Sequence, residues 1–408
     1  MIHVLSIVHY PVFGGPHNRN MRLAPVLVEK GVRTTVLLPD EPGNAAERLR
    51  NGGVEVVQLP LQRIRATSNL GTHLQFFINL PAQVRAIREL IKRLQIDVVQ
   101  LNGLVNPHGA IAARGVGIPV VWQILDTYPP MLLRRLMGPL LQRYADVVMC
   151  TGKRVAAEHP GATKRPNQLV HFFPPVDLNC FTPNPAVRKQ ARMNLGIADT
   201  SLVIGTVGNI NLQKGHDNFI RAAAHLKAKV PDARFAILGA MNENHRSYTE
   251  GLWALADQLG LQVGRDLFAF DPTGRVHELV QAMDVFWMTP RPRSEGIPTA
   301  MEEAMALALP VVSFDVGSIG ELIEHGRTGY LVHDQDPKAV AEYTFDRLLE
   351  RQVRTVMGNR GRQFVEEHAS LEACANRHMK AYSLALRLGP DEAAAPIVKS
   401  PEESSSET

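Results

Sequence analysis

Three carboxylates stand where a buried helix is expected: Glu295, Glu302 and Glu303, in "RPRSEGIPTAMEEAMALALPVV", Arg291 to Val312. A carboxylate taken out of water is costly unless something pairs with it. Pro298 suits the first turn of a helix, where its missing N–H costs nothing, so residues 294–297 are the loop that feeds that helix. Met301, Ala304, Met305 and Ala308 recur at helical spacing and face a core. Ala300 and Leu307 fall on another side, so the helix is packed nearly all round. Glu303 lies among this second group and needs donors. Ribose hydroxyls would serve, and so would the cation of a structural ion pair. The N–H groups of Gly296, Ile297 and Thr299 at the helix start suit an anion. Glu295 lies just before them, either beside a second polar group of a ligand or as a solvated loop residue. Glu302 lies about 100° round the helix from Glu303 and reads as structural.

Other residues offer less. Asp334 to Asp336 spell D-x-D, but Asp336 before Pro337 reads better as a helix N-cap, and no metal site is expected. His108 and His171 fall near strand ends, where a lone histidine is more often structural. Asn18 and Arg19 follow the Gly14-Gly15 pair and could touch a diphosphate or an acceptor, or simply begin a helix.

The elements that must position these residues alternate. "IHVLSIV", "TTVLL", "VEVVQLP", "DVVQL", "IPVVWQI" and "DVVMC" are short apolar strands separated by loops and amphipathic helices. That is the rhythm of a doubly wound, mostly parallel sheet. "FFPPVDLNCFTPNPAVRKQ" interrupts it with four prolines and reads as a stiff connector. The rhythm then restarts at "SLVIGTV". The expected division is a first Rossmann-like domain over 1–178, a second over 179–370, a helix over 371–388 packing back toward the first, and a disordered tail over 389–408 rich in Pro, Ser and Glu. Open parallel sheets bind ligands beyond the carboxyl ends of their strands, so two facing sheets make a cleft.

Composition sets the class. The chain has 408 residues, 45% hydrophobic and 21% charged, with a formal charge of +4. That suits a globular protein of two domains and is too weak a charge to imply nucleic acid. Three scattered cysteines suggest a reducing compartment without disulfides. With no basic leader and no spanning apolar run, the expected location is the cytoplasm. Arg85–Arg93 and Met131–Arg143 mix basic and apolar residues at helical spacing, as helices at the inner face of an anionic membrane do.

Glu295 and Glu303, with "EGIPTAMEEAMALALPVVSFDVGSIGELIEHGRTGYLV" around them, resemble the E-x7-E signature of retaining GT-B glycosyltransferases, specifically glycosyltransferase family 4. "TVGNINLQKGHDNFIRAAAHL" resembles that family's phosphate-binding strand, loop and helix, and "FFPPVDLNCFTP" its connector. The resemblance extends over about residues 1–385, most strongly in the second domain. It implies a GT-B fold and transfer of a sugar from a nucleoside-diphosphate sugar to a saccharide, lipid-linked or small-molecule hydroxyl, with anomeric retention, in polysaccharide, glycolipid or glycoside assembly. The donor is a substrate, and no cofactor is implied.

The resemblance also implies roles. Glu303 would bind the ribose hydroxyls and Glu295 the transferred sugar. The backbone from Gly296 through Ile297 and Pro298 to Thr299 would hold sugar and diphosphate. Lys214 would neutralise the leaving diphosphate. Gly14 and Gly15 would let the first domain approach it. Two departures stand out: Asn209 where the family usually carries Arg, and Leu125 where it often carries His before Asp126, a position beside the donor sugar. From its place two residues before Glu295, Arg293 could supply the missing cation, with Arg291 as the weaker choice; otherwise both are solvated loop residues. Two alternatives stay open: a nucleotide-sugar 2-epimerase of the same fold, against which E-x7-E argues, and a non-catalytic nucleotide-sugar binder, which the two departures motivate.

Overall fold

The computed structural model describes residues 1–63, 70–241, 245–292 and 295–388. The first domain is built on β1 (Ile2–Val8), β2 (Val32–Pro39), β3 (Glu55–Leu59), β4 (Val98–Asn102), β5 (Val120–Ile124), β6 (Val147–Cys150) and β7 (Leu169–His171). They form one sheet in the order β3-β2-β1-β4-β5-β6-β7, and each neighbouring pair is parallel. β4, β5 and β6 are buried along their whole length. Strands covered on both faces need no polar alternation, which is why they read as Val-rich apolar stretches, with Gln100, Asn102 and Gln123 buried and hydrogen-bonded among them. Val84, Ile87 and Leu90 of the helix Leu70–Arg93 cover one face of the sheet. Leu23 and Leu27 of the helix Gly15–Glu29 cover the other, together with Cys374, Ala381 and Tyr382 of the helix Leu371–Leu386. The last helix thus completes the core of the first domain.

The second domain uses β8 (Val203–Val207), β9 (Arg234–Leu238), β10 (Leu267–Phe270), β11 (Val285–Met288), β12 (Val311–Phe314) and β13 (Gly329–Val332), in the order β10-β9-β8-β11-β12-β13. In each sheet the strand order reverses at its first strand: β1 lies between β2 and β4, and β8 between β9 and β11. Such switch points open a crevice at the strand ends. The loop after β1 carries Gly14 at the start of a helix, and the loop after β8 carries Asn209 and Lys214.

The chain crosses between domains twice, side by side. Val176 N donates to Ala369 O at 2.8 Å, and Val176 bridges Ser370. A second contact clasps the domains. Glu321 of the second domain accepts from the backbone N–H of Lys153 at 2.7 Å and of Arg154 at 2.9 Å, at the start of a short helix in the first. Ser318 Oγ accepts from Val155 N at 3.3 Å, and Arg154 pairs with Asp315. Gly152 makes this approach possible. Its φ is +92°, and a Cβ there would meet Ser318 Oγ at 2.3 Å and Glu321 Oε1 at 2.8 Å.

Gly152→Ala should therefore loosen the clasp. A non-glycine residue at positive φ costs roughly 1–2 kcal/mol before any clash is counted. The thermal midpoint should fall by about 2–4 °C per kcal/mol lost. A scan that shows no fall would mean that Gly152 does not hold this conformation in solution.

Candidate functional site

The helix Thr299–Ala306 packs Met301, Ala304 and Met305 fully inside the second domain, and Pro298 is its N-cap. Glu303 is 8% exposed. Its partner comes from the other domain: Arg22 Nη2 lies 2.7 Å from Glu303 Oε1. Arg22 is on the helix Gly15–Glu29, and its Nη1 donates to Pro175 O at 3.0 Å in the connector. Its guanidinium also lies over the Phe181 ring. One cation thus joins the first helix, the connector and the helix carrying Glu303. Burial pushes the Glu303 carboxyl up, against the pull of Arg22.

Glu295 is 6% exposed, and its Oε1 lies 2.7 Å from Lys214 Nζ. The two come from loops at the ends of different strands, 81 residues apart. Asn211 fixes the turn before Lys214 by accepting from its backbone N–H at 3.2 Å. Asp126 belongs to the first domain. Burial pushes its carboxyl up, and the nearby charge of Glu295 adds to the shift. Tyr128 N donates to Asp126 Oδ1 at 3.0 Å. Gly296 lies where the domains approach closely: a Cβ there would stand 2.0 Å from Leu125 O. That carbonyl also accepts from Thr151 Oγ1 at 2.6 Å. Ile297 and Pro298 are buried behind this contact, and Thr299 is half-buried.

Gly14 and Gly15 are exposed, and nothing lies within 4 Å of a Cβ built on either. The helix start they form is open to a ligand. His17 shapes it: its Nδ1 accepts from Gly14 N at 3.1 Å, while Nε2 meets Tyr10 O at 2.9 Å. Asn18 lies half-buried in the first turn.

Other expected residues are elsewhere. Arg19 faces inward, 5% exposed, with Nη2 2.7 Å from Asn102 Oδ1 and 2.5 Å from Gln123 Oε1. It shares a helix face with Leu23, which turns it toward the sheet rather than the cleft. Arg134, one of the bases in the Met131–Arg143 stretch, is buried and pairs with Glu158 at 2.6 Å. His108 is buried and stacks on His9. Asn209 is exposed at the loop after β8. Arg291 pairs with Asp217 at 2.5 Å and donates its backbone N–H to Gln213 O. Arg293 and the tail 389–408 lie outside the described residues. Asp336 caps the helix Pro337–Arg347 by accepting from Lys338 N at 2.9 Å. Among the described residues no group of His, Cys, Asp and Glu is arranged to hold a metal ion.

Known proteins share this architecture. Residues 187–364 match the family model described as Glycosyl transferases group 1, and residues 14–175 match that described as Glycosyl transferase 4-like domain. The two matches take in both domains. The chain belongs to the GT-B glycosyltransferases, family 4 type. The GDP-mannose-dependent alpha-(1-6)-phosphatidylinositol monomannoside mannosyltransferase of Mycolicibacterium smegmatis is 29% identical over 62% of this chain and 65% of its own length. The D-inositol 3-phosphate glycosyltransferase of Corynebacterium urealyticum is 29% identical over 58% of this chain and 55% of its own. The matched stretch thus spans less than two thirds of either relative. Anabaena HepE, solved with UDP, superposes with a TM-score of 0.78 at 20% identity over 94% of this chain and all of its own. A glycosyltransferase from Rickettsia africae superposes with a TM-score of 0.79 at 16% identity over 95% of this chain and 99% of its own. At such identity the structures speak for the fold.

Within this GT-B frame, Arg22 is the residue that sequence reasoning missed. The signal was present as a demand for a cation near Glu303, but nothing in the spacing named its source. Arg22→Ala should destabilise the protein by roughly 1–3 kcal/mol, because a buried acceptor loses a charged donor. Combined with Glu303→Ala it should cost less than the sum of the two single changes. Additive effects in urea unfolding would show that the two side chains do not interact.

Proposed function

We propose that the chain transfers a sugar from a nucleoside-diphosphate sugar to a hydroxyl acceptor, with retention of anomeric configuration. The observation that carries this reading is the Lys214–Glu295 pair at the switch point of the second sheet, facing Asp126 of the first domain. On this reading the ribose hydroxyls donate to Glu303, and the N–H groups of Gly296, Ile297 and Thr299 hold sugar and diphosphate. The exposed helix start at Gly14 and Gly15 takes the diphosphate from the other side. As the glycosidic bond breaks, negative charge grows on the leaving diphosphate, and Lys214 stabilises it. Glu295 turns to the hydroxyls of the transferred sugar. The close contact of Gly296 with Leu125 lets the two domains exclude water around the reacting bond.

A thermal-shift screen with UDP, GDP, ADP and their sugars tests the donor, since a ligand that binds the native state raises its melting point. Glu303→Ala should weaken binding of the responding nucleotide by about 1–3 kcal/mol. Glu295→Gln frees Lys214, so it should leave that binding equal or tighter and lower turnover. A screen in which no nucleotide shifts the midpoint sinks the reading. A product of inverted configuration would remove its retaining part.

The acceptor side suggests a lipid surface. The relative from Mycolicibacterium smegmatis is named for a phosphatidylinositol monomannoside acceptor. Here the helix Met131–Tyr144 exposes Met131, Leu132 and Leu136, with Arg135 beside them. The helix Leu70–Arg93 exposes Leu74, Phe77 and Ile78, all on one side. No helix among the described residues is long and apolar enough to cross a membrane. Apolar side chains next to bases suit peripheral contact with anionic lipid. Binding to vesicles containing phosphatidylglycerol should rise with their anionic fraction and fall when Leu132 and Leu136 are both changed to Glu. Equal sedimentation of parent and variant would exclude this face.

A further inference from the structure

Glu302 is wholly buried, and neither of its carboxylate oxygens has a hydrogen-bond partner. Among the described residues no other carboxylate is buried in that condition. An ionised group so placed is strongly unfavourable, so the neutral acid is the stable form. Burial raises its pKa well above that of an ordinary glutamate, Glu303 adds repulsion, and Arg22 alone pulls the other way. Few other charges face it. On its own helix there is Glu303. On the first helix there is Arg22. On the last helix there is the buried thiol of Cys374, which Glu302 pushes upward. The helix Arg351–His368 presents Arg362, whose guanidinium is taken up by Ala306 O, Phe181 O and Glu366. His277 acts on Glu303.

Arg22 therefore bonds one of two carboxylates that are neighbours on one helix, and its charge acts on the other as well. The oxygen it holds, Glu303 Oε1, belongs to the group assigned above to the donor ribose. If ribose takes both oxygens of Glu303, the guanidinium keeps only the Pro175 carbonyl and loses its counter-charge, in a place where an uncompensated charge is costly. Among the described residues Glu302 is the one buried carboxylate without a hydrogen bond.

We propose that Arg22 is a shared counter-ion, held by Glu303 as the structure shows and passed to Glu302 when a donor ribose takes Glu303. Arg22 and Glu302 are then positioning residues that act through Glu303. Accepting the guanidinium ionises Glu302, and its proton leaves to solvent. Both carboxylates belong to the second domain and Arg22 to the first, so the tie between domains survives donor binding. The inference rests on Glu303 binding ribose.

The test is proton release. UDP, GDP and ADP would each be titrated calorimetrically at neutral pH in buffers of different ionisation enthalpy. The nucleotide that binds should release about one proton, and its Kd should fall by up to about tenfold per unit rise in pH. The sign follows from Glu302 holding its proton before binding and losing it afterwards. Glu302→Gln replaces a neutral acid with a neutral amide of the same shape; it should abolish the release and flatten the pH profile. Arg22→Gln should abolish the release as well. Binding without release in the parent, or release undiminished in Glu302→Gln, overturns the shared counter-ion and leaves the nucleotide-sugar reading standing. Binding of none of the three overturns both.

Discussion

A buried carboxylate on one domain is satisfied by a cation on the other, and much of the structure depends on that constraint. Glu303 sits in the second turn of a helix packed nearly all round, where little solvent reaches it. Arg22 reaches it at 2.7 Å while also holding the connector through Pro175 O. The geometry suits guanidinium, whose planar fork can serve two acceptors at once where an ammonium acts as a point charge. The first helix cannot rotate or slide without losing one of these bonds. Because the same helix begins at Gly14, the pair also fixes where that open helix start points.

The second clasp works differently. Glu321 lends its carboxylate to two backbone N–H groups at the start of a helix in the other domain. Charge-assisted bonds of this kind are short and directional, and they satisfy donors that a helix start always leaves free. The domains are thus joined at Arg22 and the double crossing, and again at Glu321. Between these attachments Gly296 meets Leu125, and no bulkier residue fits there. A side chain at position 296 would separate the sheets just where Glu295, Lys214 and Asp126 converge.

The fold was legible because parallel strands buried on both faces leave an unmistakable trace. β4, β5 and β6 each open on two valines and are mostly apolar, and the prolines of the connector stop the alternation where the first domain ends. The switch points follow from strand order, which local pattern does not reveal; the loops after β1 and β8 became visible through the resemblance of their residues to a known family. Side-chain direction was the weaker part. Arg19 and Arg22 stand three apart on one helix, yet Arg19 points into the sheet and Arg22 into the connector. Arg134 follows the same lesson, since a basic residue between apolar ones reads as outward until Glu158 is seen beside it. Pairings across domains depend on docking, and no window of sequence contains both partners.

Both carboxylates assigned to the donor are held by bases, Glu303 by Arg22 and Glu295 by Lys214. This bears on the missing arginine at Asn209. A lysine paired with a carboxylate adds almost no net field at a distance, so Lys214 brings positive charge to a diphosphate only if Glu295 turns elsewhere. The hydroxyls of a donor sugar are what would turn it. On the proposed reading, sugar and diphosphate therefore reinforce one another: the sugar engages Glu295, and that releases Lys214 to the leaving group. A nucleotide without its sugar would leave Lys214 partly neutralised. Asn209 can donate hydrogen bonds without charge, and Arg291 is already engaged by Asp217. Discrimination for the intact donor over its nucleotide product then rests on one ion pair, and it comes from a rearrangement of charge already present at the site rather than from an added cation.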